Sequence, residues 1–178
     1  MVHINIEFKA RCDNPERIRK ILLSENPVFK GKDHQIDTYF IVESGRLKLR
    51  EGNIENALIH YERPNVATAK QSTVLLHHPE SDNTSSLKEI LIKTLGILTV
   101  VDKEREIYFI DNVKFHIDYV KNLGHFIEVE AIDNDGSIGT QKLQEQCDHY
   151  QKLFQLSAED LIEVSYSDLI SLSDNKVS

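Results

Sequence analysis

Cysteine is scarce in this 178-residue chain: it occurs only as Cys12 and Cys147, far apart and without a nearby His–acid context. That argues against a disulfide scaffold, a Cys-rich zinc site or thiol catalysis, and it fits a reducing cytoplasm. Glycine is sparse too. Its seven copies are scattered at turns, so no glycine-rich phosphate loop is present. No apolar run approaches the roughly 20 residues of a membrane helix. The N-terminus has no basic segment followed by an apolar one, so no secretory signal is expected. Basic excess is also missing. The net charge is −8, which argues against nucleic acid as a partner, because such a protein must neutralise phosphates over its surface. A small basic pocket inside an acidic protein remains compatible with that charge.

What is present is alternation. In "INIEFKA", Ile4, Ile6, Phe8 and Ala10 alternate with Asn5, Glu7 and Lys9. This period of two predicts a strand over about 2–11 with one apolar and one polar face. In "DNPERIRKILL", Asn14 suits an N-cap, Pro15 the first helical position, and Ile18, Ile21 and Leu22 form one helical face. "GKDHQ" is expected to turn the chain into a strand over 36–42, with "RLKLREG" following a tight "ESG" turn. Further strands are expected in "NALIHYERP", "TAKQSTVLLHH", "ILTVVDKEREIYFID", "NVKFHIDYV" and "GHFIEVEAI". Helices are expected over 81–96, with Leu87, Ile90, Leu91 and Leu95 on one side, and over about 140–153. A short one is expected from an N-cap at Ser157. Hairpins dominate, giving one α+β domain over 1–172 with a frayed tail over 173–178.

The polar faces carry charge, sorted by segment. Acidic residues fall at Glu7 and at Glu128 with Glu130. Basic ones fall at Arg46, Lys48 and Arg50, and at Lys103 with Arg105. Lys114, His116 and Asp118 share another face. Any single strand of this kind is ordinary, since antiparallel sheets often wet one face. A solubility surface usually intersperses its signs, however. An eight-stranded sheet with helices on its apolar side also tends to curl and close, which puts the polar faces inside. Burying such charges is costly without a matching ligand. Arg and Lys suit phosphate oxygens, and carboxylates suit a hard divalent cation, so the pattern points to a polyphosphate with Mg²⁺ or Mn²⁺.

At these residues the chain resembles the CYTH superfamily, the triphosphate tunnel metalloenzymes, and within it the class IV adenylyl cyclase-like branch. "NIEFK" is similar to the family's opening E-x-E-x-K strand. "DTYF", "GRLKLREG", "YERP", "KERE", "FHIDYVKNLGHFIEVEA" and "SYSDLI" follow in the family's order. The resemblance spans residues 2 to about 170, and the run 118–130 is its most specific part. It implies a single-domain, eight-stranded antiparallel barrel forming a tunnel with flanking helices. It also implies Glu7, Glu128 and Glu130 as metal ligands, with Asp118 a further one. Lys9, Arg46, Lys48, Arg50, Arg63, Lys103, Arg105 and Lys114 would face the triphosphate. Glu7, Lys9, Glu128 and Glu130 would then carry the catalysis. The family's first glutamate is Asn5 here, a neutral carbonyl in place of a carboxylate.

Three functions follow from the resemblance. One is conversion of ATP to cyclic AMP and pyrophosphate, for which no general base is identifiable. Lys9 would need a depressed pKa that its carboxylate neighbours oppose. Another is hydrolysis of tripolyphosphate, thiamine triphosphate or a nucleotide. The third, motivated by Asn5, is binding without turnover. The expected partner is a nucleoside triphosphate or inorganic polyphosphate, with no membrane, and with a homodimer among the allowed states. His77 and His78 are adjacent and point oppositely in extended chain, which favours a strand-end role over metal binding. Tyr39 is read as core packing ahead of contact with a base, Asp37 as polar lining, and His116 equally as a ligand contact or as tunnel wall without chemistry.

Overall fold

Period-two alternation makes the strands of this protein, and their hydrogen bonding makes a closed ring. The computed structural model describes residues 2–62, 69–79 and 84–174. The elements run β1 (Val2–Arg11), α1 (Pro15–Ser24), β2 (Val28–Phe40), β3 (Arg46–Gly52), β4 (Ala57–Glu62) and β5 (Lys70–His77). They continue with α2 (Thr84–Leu95), β6 (Ile97–Ile110), β7 (Val113–Val120), β8 (Gly124–Asp133), α3 (Thr140–Leu153) and α4 (Tyr166–Asp174). The strands form a closed barrel in the order β1-β5-β4-β3-β2-β6-β7-β8, and β8 pairs back onto β1. Every pairing is antiparallel. Closure removes the exposed strand edges that an open sheet would leave.

The main apolar core lies outside the barrel. Ile6, Phe8 and Ala10 of β1, Val113, Phe115 and Ile117 of β7, and Ile127, Val129 and Ala131 of β8 face outward. They pack against Ile18 and Leu22 of α1 and Leu143, Cys147 and Tyr150 of α3. Most of these side chains are fully buried, so each contributes roughly 1.5–3 kcal/mol relative to exposure. The Asn14 side chain accepts from the Arg17 amide at 3.0 Å with Pro15 at the first position, which fixes where α1 begins. Cys12 and Cys147 are buried free thiols. The Cys147 thiol, pushed up to about 12 by burial, donates to the Ile6 carbonyl. On β1, β7 and β8 the helices take up the apolar faces, so the polar faces of these strands turn inward.

Three local expectations change. "GKDHQ" is not a turn: β2 runs through it, because these residues pair in register with β6 from Lys32–Glu106 to Gln35–Lys103. A register shift at Gly31, whose φ is +135°, lets the strand bend there. The α2 helix forms, but none of its residues is buried and Ile90 is 58% exposed. The Ser157 segment closes a turn on the Asp160 carboxylate rather than starting a helix. The chain then bridges to Ala10 through Leu161 and enters α4 at Tyr166.

Candidate functional site

Inside the barrel lies a cavity of about 660 Å³. One side is charged. Glu7 and Lys9 of β1, Lys48 and Arg50 of β3, Lys103 and Arg105 of β6, Lys114 of β7, and Glu128 and Glu130 of β8 all line it. These positions share strand parity, and the barrel register sets them side by side: Lys9 opposite Glu128, Glu7 opposite Glu130, and Lys114 opposite Glu130. The other side is largely apolar. Ala57, Ile59 and Tyr61 of β4 and Val74 and Leu76 of β5 line it, and Tyr39 and Tyr166 add aromatic surface.

The cations are held by internal carboxylates. Asp37, essentially fully buried, accepts from Arg50 Nε at 2.8 Å and Nη2 at 2.9 Å, from Lys103 Nζ at 2.6 Å and from Lys48 Nζ at 3.1 Å. Burial alone would raise the Asp37 carboxyl, but Arg50, Lys103 and Lys48 outweigh it and hold it well below the usual range. Burial, reinforced by the neighbouring Arg50, Arg105 and Lys48, pushes the Lys103 ammonium well down against the pull of Asp37. Asp37 thus gathers Arg50, Lys103 and Lys48 at one point of the wall.

A second cluster centres on Arg105. It grips Asp118 at 2.8 and 2.6 Å and reaches Glu128 at 2.8 Å. Asp118 is buried beneath Arg105 and also accepts from the Tyr166 hydroxyl at 2.7 Å. It does not line the cavity, so in this structure its contacts orient Arg105. Glu128 additionally accepts from Lys9 at 2.8 Å, and the Lys9 ammonium lies 4.2 Å from the Tyr166 ring centre. Arg46 sits apart from the central cavity. It pairs with Asp168 of α4 at 2.7 Å and lines a separate depression with Ser44, Gly45, Glu62 and Leu98. Arg63 lies outside the described residues.

Among the described residues, one group gathers ligand atoms closely enough to hold a metal ion: His116, Glu128 and Glu130, within 4.8 Å of one another. Glu7 stands opposite Glu130 in the neighbouring strand, and its carboxylate accepts from the Asn5 amide at 3.3 Å. Burial, and then the nearby charges of Glu128 and Glu7, push the Glu130 carboxyl up to about 7. Burial, Arg105 and Lys114 push His116 down to about 3, so its ring is neutral. Crowded carboxylates beside a neutral imidazole suit a divalent cation, which would relieve the repulsion that raises Glu130. Two buried polar atoms on adjacent strands, Asn5 Oδ1 and Ser72 Oγ, have no hydrogen-bond partner and belong to residues that line the cavity.

The CYTH domain model matches residues 3–166. The chain belongs to the CYTH domain family. A relative from Methanocaldococcus jannaschii, named "Putative adenylate cyclase", is 26% identical over 95% of this chain and 99% of its own length. Among solved structures, the PH1012 protein of Pyrococcus horikoshii superposes with a TM-score of 0.75 at 22% identity, over 93% of this chain and 98% of its own. HpAC1 from Hippeastrum, described as having a dominant triphosphatase activity, superposes with a TM-score of 0.60 at 14% identity, covering 97% and 96%. At such identities the two structures establish that the CYTH barrel is shared.

The sequence left several site residues unread. Glu55 sits in the β3–β4 turn, where strand parity gives no direction, and it accepts from Lys114 at 2.5 Å and Arg50 at 3.2 Å. Asp33 lay in the expected turn "GKDHQ" and is fully buried. Tyr166 and Asp168 belong to "SYSDLI", quoted for its resemblance without a role. The apolar lining of β4 and β5 carried no charge to mark it.

Proposed function

We propose that this protein is a divalent-metal-dependent enzyme acting on an organic triphosphate inside the barrel, with conversion of ATP to 3′,5′-cyclic AMP and pyrophosphate as the leading reaction. The observation that carries this reading is the division of the cavity. A row of lysines and arginines, held in place by carboxylates, faces an apolar and aromatic wall. Lys48, Arg50, Lys103 and Arg105 would take up phosphate oxygens through the N–H groups that their carboxylate partners leave open. Lys9 would lie at the end near Tyr166. The wall of Ile59, Tyr61, Val74 and Leu76 would receive the nucleoside, for which inorganic polyphosphate has no counterpart.

Glu128 and Glu130, with His116 beside them and Glu7 opposite, would hold the Mg²⁺ or Mn²⁺. Bound there, the ion would neutralise phosphate charge and favour ionisation of the attacking oxygen. The protein's own contribution is electrostatic. Arg105, anchored by Asp118, is already aimed and needs no rearrangement to stabilise charge on a leaving pyrophosphate. Arg50, anchored by Asp37, is placed in the same way. The buried free thiols support a reducing cytoplasm as its setting.

Hydrolysis is the second reading. It is favoured by the triphosphatase activity described for HpAC1. Incubation with ATP, thiamine triphosphate and tripolyphosphate, each with Mg²⁺ or Mn²⁺, separates the readings by product. Cyclic AMP with pyrophosphate establishes the first. Phosphate release without cyclic AMP establishes the second. Binding without turnover overturns both and leaves a nucleotide- or polyphosphate-binding protein.

A further inference from the structure

The β3–β4 turn carries a carboxylate into the cavity, and the way it is held indicates a purpose. Asp33 is fully buried and accepts from three consecutive backbone amides of the turn, Asn53 at 2.6 Å, Ile54 at 2.9 Å and Glu55 at 3.0 Å. Gly52 fits where it does because a Cβ there would stand 2.7 Å from the Glu55 carbonyl and 2.8 Å from the Asp33 carboxylate. The Asn56 side chain and Gly52 exchange two further bonds across the turn. A turn fixed at its main chain presents Glu55 to the outermost cations of the charged wall. Its carboxylate accepts from Lys114 at 2.5 Å, from Arg50 Nη1 at 3.2 Å and from Gln35 at 3.2 Å. Burial would raise the Glu55 carboxyl, but Lys114 and Arg50 hold it far below its usual range, so it is ionised.

Glu55 differs from the other internal carboxylates. Asp37, Asp118 and Glu128 project from strands and lie among the cations they orient. Glu55 comes from a connection and stands at one end of the cation row, where its two oxygens meet Lys114 and Arg50 much as a phosphate's would.

We propose that Glu55 is a built-in terminal anion that limits the length of the phosphate chain this barrel accepts, by claiming Lys114 and the outer edge of Arg50. This rests on the reading of the barrel as a polyphosphate site. A chain of three phosphates ends at Glu55, and a fourth meets its charge. Glu55→Gln keeps the shape and removes the charge, and the Asp33 contacts to the turn's main chain remain.

The test is calorimetric binding of pyrophosphate, tripolyphosphate and tetrapolyphosphate at one free Mg²⁺ concentration, with phosphate release followed in the same samples. The wild type should gain affinity up to tripolyphosphate and not beyond. In Glu55→Gln the ratio of tetrapolyphosphate to tripolyphosphate affinity should rise about tenfold, as expected for one added charged contact. Glu55→Asp, whose shorter reach withdraws from Lys114, should move the ratio the same way by less, and it carries the test if the first variant fails to fold. A wild type that binds tripolyphosphate, with the same length preference in both variants, overturns the limit alone. A wild type that binds none of the three chains overturns the polyphosphate site itself, and the limit with it.

Discussion

The two walls of the barrel solve the same packing problem in opposite ways. On β4 and β5, Ala57, Ile59, Tyr61, Val74 and Leu76 present a largely apolar surface to the cavity. On β1, β3, β6, β7 and β8, charged side chains face it, and nearly every one described is tied to an opposite charge. Fixed charge in a closed space is costly unless it is paired. That cost falls where oriented charge serves a ligand. Where the ligand presents only carbon and ring surface, apolar residues suffice. On the function proposed above, the charged wall would take the phosphates and the apolar wall the nucleoside.

The largest effect should come from breaking a hub of the charged wall. Asp37→Ala leaves Arg50, Lys48 and Lys103 without their shared carboxylate, and should cost about 3–5 kcal/mol of folding stability. Denaturant unfolding would measure it. Tripolyphosphate should raise the melting temperature of this variant more than that of the wild type, because phosphate oxygens replace the lost carboxylate. A cost below about 1 kcal/mol would mean that these charges are solvated after all.

Next in size, Arg50→Ala should weaken ATP and tripolyphosphate alike, by about 1.5–3 kcal/mol, since both carry the phosphates it contacts. Ile59→Ala tests the opposite wall. It should weaken ATP by about 1–2 kcal/mol, from lost apolar burial, and leave tripolyphosphate unchanged. Equal losses for both ligands in Ile59→Ala would remove the assignment of the nucleoside to β4 and β5.

The smallest effect is a pH dependence of the metal-free protein. The Glu130 carboxyl is raised from 4.5 to about 7. Between those values the unfolded chain has released this proton while the folded protein keeps it, so stability falls as pH rises through that window and levels off above it. Glu130→Gln removes the effect. Its stability should exceed that of the wild type by on the order of 1 kcal/mol near pH 8, with solvent access at the cavity limiting the size. Near pH 5 the advantage should shrink. Chemical denaturation at both pH values measures the difference, and saturating Mg²⁺ should reduce it by holding Glu130 ionised.

That this chain is built from amphipathic strands is legible in its residues alone. A period of two is local: Glu7 and Lys9 must lie opposite Ile6 and Phe8 whatever else the chain does. Given helices to cover the apolar faces, the charged faces of Glu7, Lys48, Arg50, Lys103, Arg105, Lys114, Glu128 and Glu130 had to turn inward together. The class of ligand followed from their chemistry. Tertiary structure alone decided which charges neutralise which, because pairing depends on barrel register and on residues with no readable parity. It placed Asp118 under Arg105 rather than in the cavity, drew Arg46 away to Asp168 of α4, and ran β2 straight through an apparent turn so that Asp33 could fix the Glu55 loop. It also brought together His116, Glu128 and Glu130 from adjacent strands. His116 and Glu128 meet as partners in the β7–β8 hairpin, and Arg105 and Asp118 in the β6–β7 hairpin, whereas Lys9 meets Glu128 and Glu7 meets Glu130 only when the eighth strand closes onto the first.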